Sequence, residues 1–409
     1  MKARILTPLL LIGLCFFTNG CTTTEQAPAE RADLSVMEVP VIPAEPSARQ
    51  ESQPSELFGE VQERGVSKIA PGALASGMAV QGVLVTPAAS AYPGEFAFRT
   101  QKGYYLTAIN GGGRSGDPTV ITSATSAGPW EKFKLAIATP PSPHDKTVQT
   151  APTGNFVTAV NGGGMTANVL HTDATQAKDW ERFRLLDLGV GIPAVPAYYG
   201  IQTIKSNYLT AVGGGGKYQD AIHTDATQIK AWEQFRIVKC GDLGSGQEYG
   251  VMAANGGFFW ARSSGGQTTE AILLSNPTTM ETKFKFINQG DGTYALQTAN
   301  GRNYVTATGG GGQVQKYLPP DCGLFSACIG GFTTVFHTDA TQVKAWEKFR
   351  VIDQGNCTYA IQTSSGFFVG IFKDPNGYML LTTRRDGAAT ANEKFQLVVY
   401  GLASPPVLR

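Results

Sequence analysis

Asn155-Phe156-Val157-Thr158-Ala159-Val160-Asn161-Gly162-Gly163-Gly164, closed further on by Trp180-Glu181-Arg182-Phe183, is the stretch on which the reading of this chain turns. Its two ends recur. The aromatic-aliphatic opening returns at Tyr105, Phe156, Tyr208, Phe259, Tyr304 and Phe368, six times at intervals of about fifty residues. Four of the copies run into glycine strings, Gly111 to Gly113, Gly162 to Gly164, Gly213 to Gly216 and Gly309 to Gly312, which supply the positive φ that tight turns demand. Trp-Glu-x-Phe closes four copies, at Trp130, Trp180, Trp232 and Trp346, while Phe284 and Phe395 end weaker ones. Alternation along a strand puts Phe133 with Leu135, Phe183 with Leu185 and Phe235 with Ile237 on one face, so these are expected core residues. Each Glu of the motif is expected at the rim, accepting hydrogen bonds from loop amides, because an unpaired buried carboxylate is costly.

A unit of four short strands is too small to bury a core alone. Three such units closing into a barrel under a hairpin cap make a β-trefoil, so six units predict an all-β chain of two tandem β-trefoils. The first is expected over residues 92–241 and the second over 246–401, with Asp242-Leu243-Gly244-Ser245 as the join. The glycine string and Trp-Glu-x-Phe together resemble the fascin-like β-trefoil, of the actin-crosslinking superfamily, in the form appended to bacterial and plant glycan-cleaving enzymes. That resemblance covers about three quarters of the chain. It implies the fold first and glycan binding second; no actin-contacting residue is matched to a position here, and fold alone does not settle function.

Residues 1–20 place Lys2 and Arg4 before an apolar run from Leu9 to Phe17, too short for a stable bilayer span, and read as an export signal. Thr18-Asn19-Gly20-Cys21 resembles a bacterial lipobox with Thr18 in the place usual for Leu; it implies lipidation of Cys21, and Thr22 fits outer-membrane sorting. Cleavage to a soluble exported protein is the alternative. Residues 21–91, rich in Pro, Ala, Glu, Gln and Ser, read as a disordered tether. High glycine usage, 49 residues, fits many short strands and turns. With 33 basic and 32 acidic residues, and no Lys/Arg cluster, nucleic acid is not an expected partner.

His171-Thr172-Asp173-Ala174-Thr175-Gln176 recurs at His223 to Gln228 and His337 to Gln342, and holds three of the four histidines. The preceding residue is apolar each time (Leu170, Ile222, Phe336), so alternation turns His171 with Asp173, His223 with Asp225 and His337 with Asp339 outward. Such a pair can hydrogen-bond sugar hydroxyls, with Trp180, Trp232 or Trp346 offering an apolar face to the ring. Alternatively the Asp orients the His or caps a turn. The other units lack the string, as a fold requirement would not. Two ligands per copy fall short of a zinc site, no cofactor motif is present, and no nucleophile elbow, HExxH or glycosidase carboxylate pair stands out, so no enzyme is expected. The expected ligand is a polysaccharide or glycoconjugate; the rival reading is an adhesive or crosslinking module for an envelope protein.

Of six cysteines, Cys322 and Cys328 are the best disulfide pair, inside an insertion of about Gln313 to Thr334 that lengthens the fifth unit. Cys240 and Cys357 either pair across the two domains or stay free.

Overall fold

The computed structural model describes residues 92–138, 145–189, 197–269, 271–275, 280–318, 331–385 and 387–402. The export signal, the tether, Cys21, Cys322 and Cys328 lie outside them. In the first unit β1 (Glu95–Thr100), β2 (Tyr105–Ala108), β3 (Val120–Ala124) and β4 (Phe133–Ile137) follow one another, and the other five units repeat the order. Among the described residues the only helical segments are single 3₁₀ turns.

The strands close into rings. β1 pairs with β4, β4 with Asp145–Thr150, that strand with Arg182–Asp187, and so on through Tyr199–Thr203 to Phe235–Cys240, which returns to β1. A second ring runs in the same way from Gln247–Met252 round to Lys394–Val399 and back. Six barrel strands with three hairpins set on them are the β-trefoil. The recurring Phe fills the barrels as expected: Phe133, Phe183, Phe235, Phe284, Phe349 and Phe395 are all buried, and Phe98 meets Phe133 edge-on at 5.5 Å. The void left inside the first barrel is about 30 Å³, which excludes a sugar from the interior.

The units are clasped to one another by the middle residue of the His-Thr-Asp string. Gly113 N–H donates to Thr172 O (2.7 Å) and Thr172 N–H to Arg114 O (2.8 Å); Gly164 and Met165 make the same exchange with Thr224. Gly216 and Lys217 then return it to Thr122 of the first unit, completing the circle. In the second ring Thr338 makes the same exchange with Gly266 and Gln267, and Thr383 N–H donates to Gln313 O at 2.7 Å. The glycine before each clasp takes a backbone conformation that other residues resist: at Gly163 φ is +104°, and a Cβ there would collide with the Thr203 side chain at Oγ1.

Cys240 and Cys357 form a disulfide between the last strand of the first ring and the sixth unit. Around it Val238 pairs with Val398, and Tyr199 and Tyr359 donate their hydroxyls to Val399 O (3.0 Å) and Gly241 O (2.6 Å). The Arg236 guanidinium lies 4.4 Å from the Tyr198 ring centre and 5.2 Å from that of Phe258. In the fifth-unit insertion Val314 bridges Thr382, and Tyr317–Leu318 pairs with Gly331–Phe332.

Candidate functional site

In each unit that carries the string, the hairpin and the following 3₁₀ turn build one outward face. Leu170 and Thr172 are buried, His171 is half-buried and Asp173 is exposed, and the pattern repeats at 222–225 and 336–339. The residue directly across from His171 is Thr158, from His223 Thr210, and from His337 Thr306. Residues opposite one another in an antiparallel pair share a face, so each Thr stands beside its His.

The same Thr holds the closing motif in place. Thr158 Oγ1 donates to Glu181 Oε1 at 2.7 Å, Thr210 to Glu233 at 2.8 Å and Thr306 to Glu347 at 2.7 Å. The other carboxylate oxygen accepts the backbone N–H of Lys178, Lys230 or Lys344 at 2.7, 2.8 and 2.8 Å. Reaching back from the third residue of the turn, this Glu closes it as a capping carboxylate does. The expected amide bonds are therefore present, but the carboxylates are buried rather than at the rim. A buried charge is tolerated because both oxygens are satisfied.

Fixing the Glu throws the preceding Trp outward. Trp180, Trp232 and Trp346 are 46%, 48% and 49% exposed, large values for tryptophan. One side of the indole rests on the glycine turn: a Cβ on Gly162 would come within 3.4 Å of Trp180 Cδ1, and one on Gly310 within 3.2 Å of Trp346 Nε1. The other side opens on a cleft. That beside Trp180, about 310 Å³, is walled by Lys178, Asp179 and Glu181; that beside Trp346, about 280 Å³, by Lys344, Ala345 and Glu347. His171, Asp173, His337 and Asp339 do not wall these two clefts.

The histidines differ among themselves. His337 Nδ1 lies 2.7 Å from Asp339 Oδ1, His223 Nδ1 is 4.0 Å from Asp225 Oδ1, and His171 bonds Asn168 Oδ1 at 2.8 Å through Nε2. His223 Nε2 reaches Asp220 at 2.6 Å, and that bond holds the Asp220 carboxyl below its ordinary value. Asp220 also lines a third opening, about 240 Å³, where the three hairpins of the first ring meet beside Asp117 and Thr166. Two sets of participants were not singled out from sequence: the Thr of the opening motif, and Asn155, Asn207 and Asn303, whose amides donate to the Asp173, Asp225 and Asp339 carbonyls at 3.2, 3.3 and 3.2 Å. The signal was there, since these Asn precede the opening aromatic only in the three string-bearing units. No group of three metal-binding side chains occurs among the described residues, nor is any helix there long and apolar enough to cross a membrane.

No family model matches the sequence, and no curated protein matches it. Among solved structures the chain is similar to a mosquitocidal holotoxin, at 10% identity and TM-score 0.30 over 75% of this chain. It spans 34% of the toxin's length. It is also similar to ThreeFoil, a designed 3-fold symmetric protein (16% identity, TM-score 0.30, 36% of this chain and 99% of that one). The Rhizoctonia solani agglutinin is similar at 14% identity and TM-score 0.28, over 36% of this chain and 94% of that one. Overlaps this low carry no argument; the trefoil assignment rests on the strand pairing above.

Proposed function

We propose that this chain is a non-catalytic, fascin-like carbohydrate-binding protein, exported and displayed on a lipid anchor at Cys21, that grips a polysaccharide through its second, third and fifth units. The observation that carries the reading is the outward indole of Trp180 and Trp346, backed by a glycine turn and open on its other side, in units that also turn a His and an Asp outward. A sugar ring presents an apolar face for the indole and hydroxyls for the carboxylate. The filled barrel leaves the surface as the place for a ligand. Sites that are individually weak gain from acting together on one polymer, which favours several copies in one chain.

The test is a glycan array followed by titration of the full chain and of a variant with Asp173, Asp225 and Asp339 all changed to Asn. Shape is kept while the charged acceptor is removed, and each lost charge-assisted bond should weaken its site about ten- to a hundredfold. Thermal stability should hold, because the backbone carbonyls used by Asn155, Asn207 and Asn303 remain. Unchanged glycan affinity in a fully folded triple variant would rule out the His-Asp face. Capture of an envelope protein with no glycan bound would instead favour the adhesive reading.

A further inference from the structure

The clefts beside Trp180 and Trp346 each set a lysine next to the indole. Both oxygens of Glu181 and of Glu347 are occupied, by the Thr hydroxyl and by the backbone N–H two residues before the Trp. What still lines the opening is the indole and a lysine side chain, Lys178 or Lys344, joined beside Trp180 by Asp179. The third string-bearing unit carries Lys230, exposed like the other two, before the exposed Trp232. In the cleft beside Trp346 the side chains left to meet a ligand are therefore a cation and an indole, while beside Trp180 the exposed carboxylate of Asp179 stands next to them.

The cap does not require that lysine. Thr390 occupies the same position in the sixth unit, where its backbone N–H donates to Glu393 at 2.6 Å, and Gly128 precedes Trp130-Glu131 in the first. At Lys178, Lys230 and Lys344 the backbone amide closes the turn, and at Thr390 the hydroxyl donates to Glu393 as well, at 2.8 Å. Lysine stands there only in the units that also carry the exposed Trp and the His-Asp pair. Besides the capped Glu181 and Glu347, the one acidic side chain on these walls is the exposed Asp179, 3.5 Å from Arg182, and Ala231 and Ala345 replace it in the other two units.

We infer that these three sites select acidic polysaccharide: a sugar lying on the indole with its carboxylate or sulfate group against the lysine ammonium. This rests on the glycan reading above and narrows it to polyanions. Contacts of an exposed ammonium with an anion are individually weak and screened by salt, so the preference comes from three used together and fades as ionic strength rises.

Binding of the full chain to polygalacturonate, dextran sulfate and a panel of neutral polymers (dextran, xylan, soluble glucans) at low and raised salt tests this. A variant with Lys178, Lys230 and Lys344 changed to Gln, and a second with all three changed to Arg, complete the set. The wild type should bind at least one of the polyanions about tenfold or more tighter than any neutral polymer, with the margin shrinking in salt. The Gln variant should lose that margin while keeping its melting temperature, and the Arg variant should retain it. The two polyanions distinguish carboxylate from sulfate. Equal or tighter binding of a neutral polymer, or a Gln variant with its margin intact, overturns the inference and leaves glycan binding standing. Failure of the wild type to bind any polymer overturns both.

Discussion

Lys239 lies beneath the first described residues, its ammonium donating to Pro93 O at 2.5 Å and set 4.7 Å from the Phe96 ring centre. A methyl on Gly94 would collide with it. Burial, only partly opposed by Asp242 and Glu95, lowers its pKa from the ordinary 10.5 to about 8. Between those values the unfolded chain holds a proton that the folded one has released, so this group makes stability rise with pH across the window. Below about 8 the penalty of burying the charge is fully present. Lys239→Met removes the group, so the stability of the wild type relative to this variant should climb between pH 7.5 and 10. Denaturant melts of both proteins across that range check it. A flat difference would mean that the ammonium is solvated.

Among elements, the hairpin and the 3₁₀ turn of each site-bearing unit are joined by one bridge, the Thr hydroxyl to the Glu carboxylate. Thr306→Val keeps the shape and leaves Glu347 Oε1 without its donor, so a loss of about 1 to 3 kcal/mol is expected in urea melts. Trp346 fluorescence should also shift as the turn loosens. Thr107→Val makes the comparison, since Thr107 Oγ1 has no partner, and it should change little. This bridge also marks how far the sequence could be read. The barrel was legible because Phe183, Leu185 and their counterparts keep a strand's period and recur six times. The outward turn of His171 and Asp173 followed from the same alternation. The rest depended on contacts across strands: which Thr faces which His, and that the Glu is buried, are set by hairpin register, and a register shift beside Phe156 intervenes. His171 turned to Asn168 for a similar reason, since a partner three residues away is reached only through the curl of the chain ahead of the strand.

At the scale of the molecule, the Cys240–Cys357 bond closes a loop with a sequence separation of 117. Chain entropy assigns a loop of that size about 4 to 5 kcal/mol, of which natural disulfides commonly deliver 2 to 4. Cys240→Ala with Cys357→Ala should lower stability by about that smaller amount in calorimetry, with the two rings still joined by the Val238–Val398 pairing and the buried tyrosines around it. A loss under about 0.5 kcal/mol would mean that those contacts already hold the ends together in the unfolded chain.

The circle of threonine clasps bears on how such a molecule changes over generations. Each clasp needs a small inward hydroxyl residue and two backbone groups, and asks nothing of the side chains on either side of it. Ile121 and Ser123 flank Thr122 where His171 and Asp173 flank Thr172, yet the exchange of hydrogen bonds is the same. Mutation can therefore erase or install an outward pair in one unit without loosening its neighbours, and the number of contact points becomes a quantity that selection can raise or lower one step at a time.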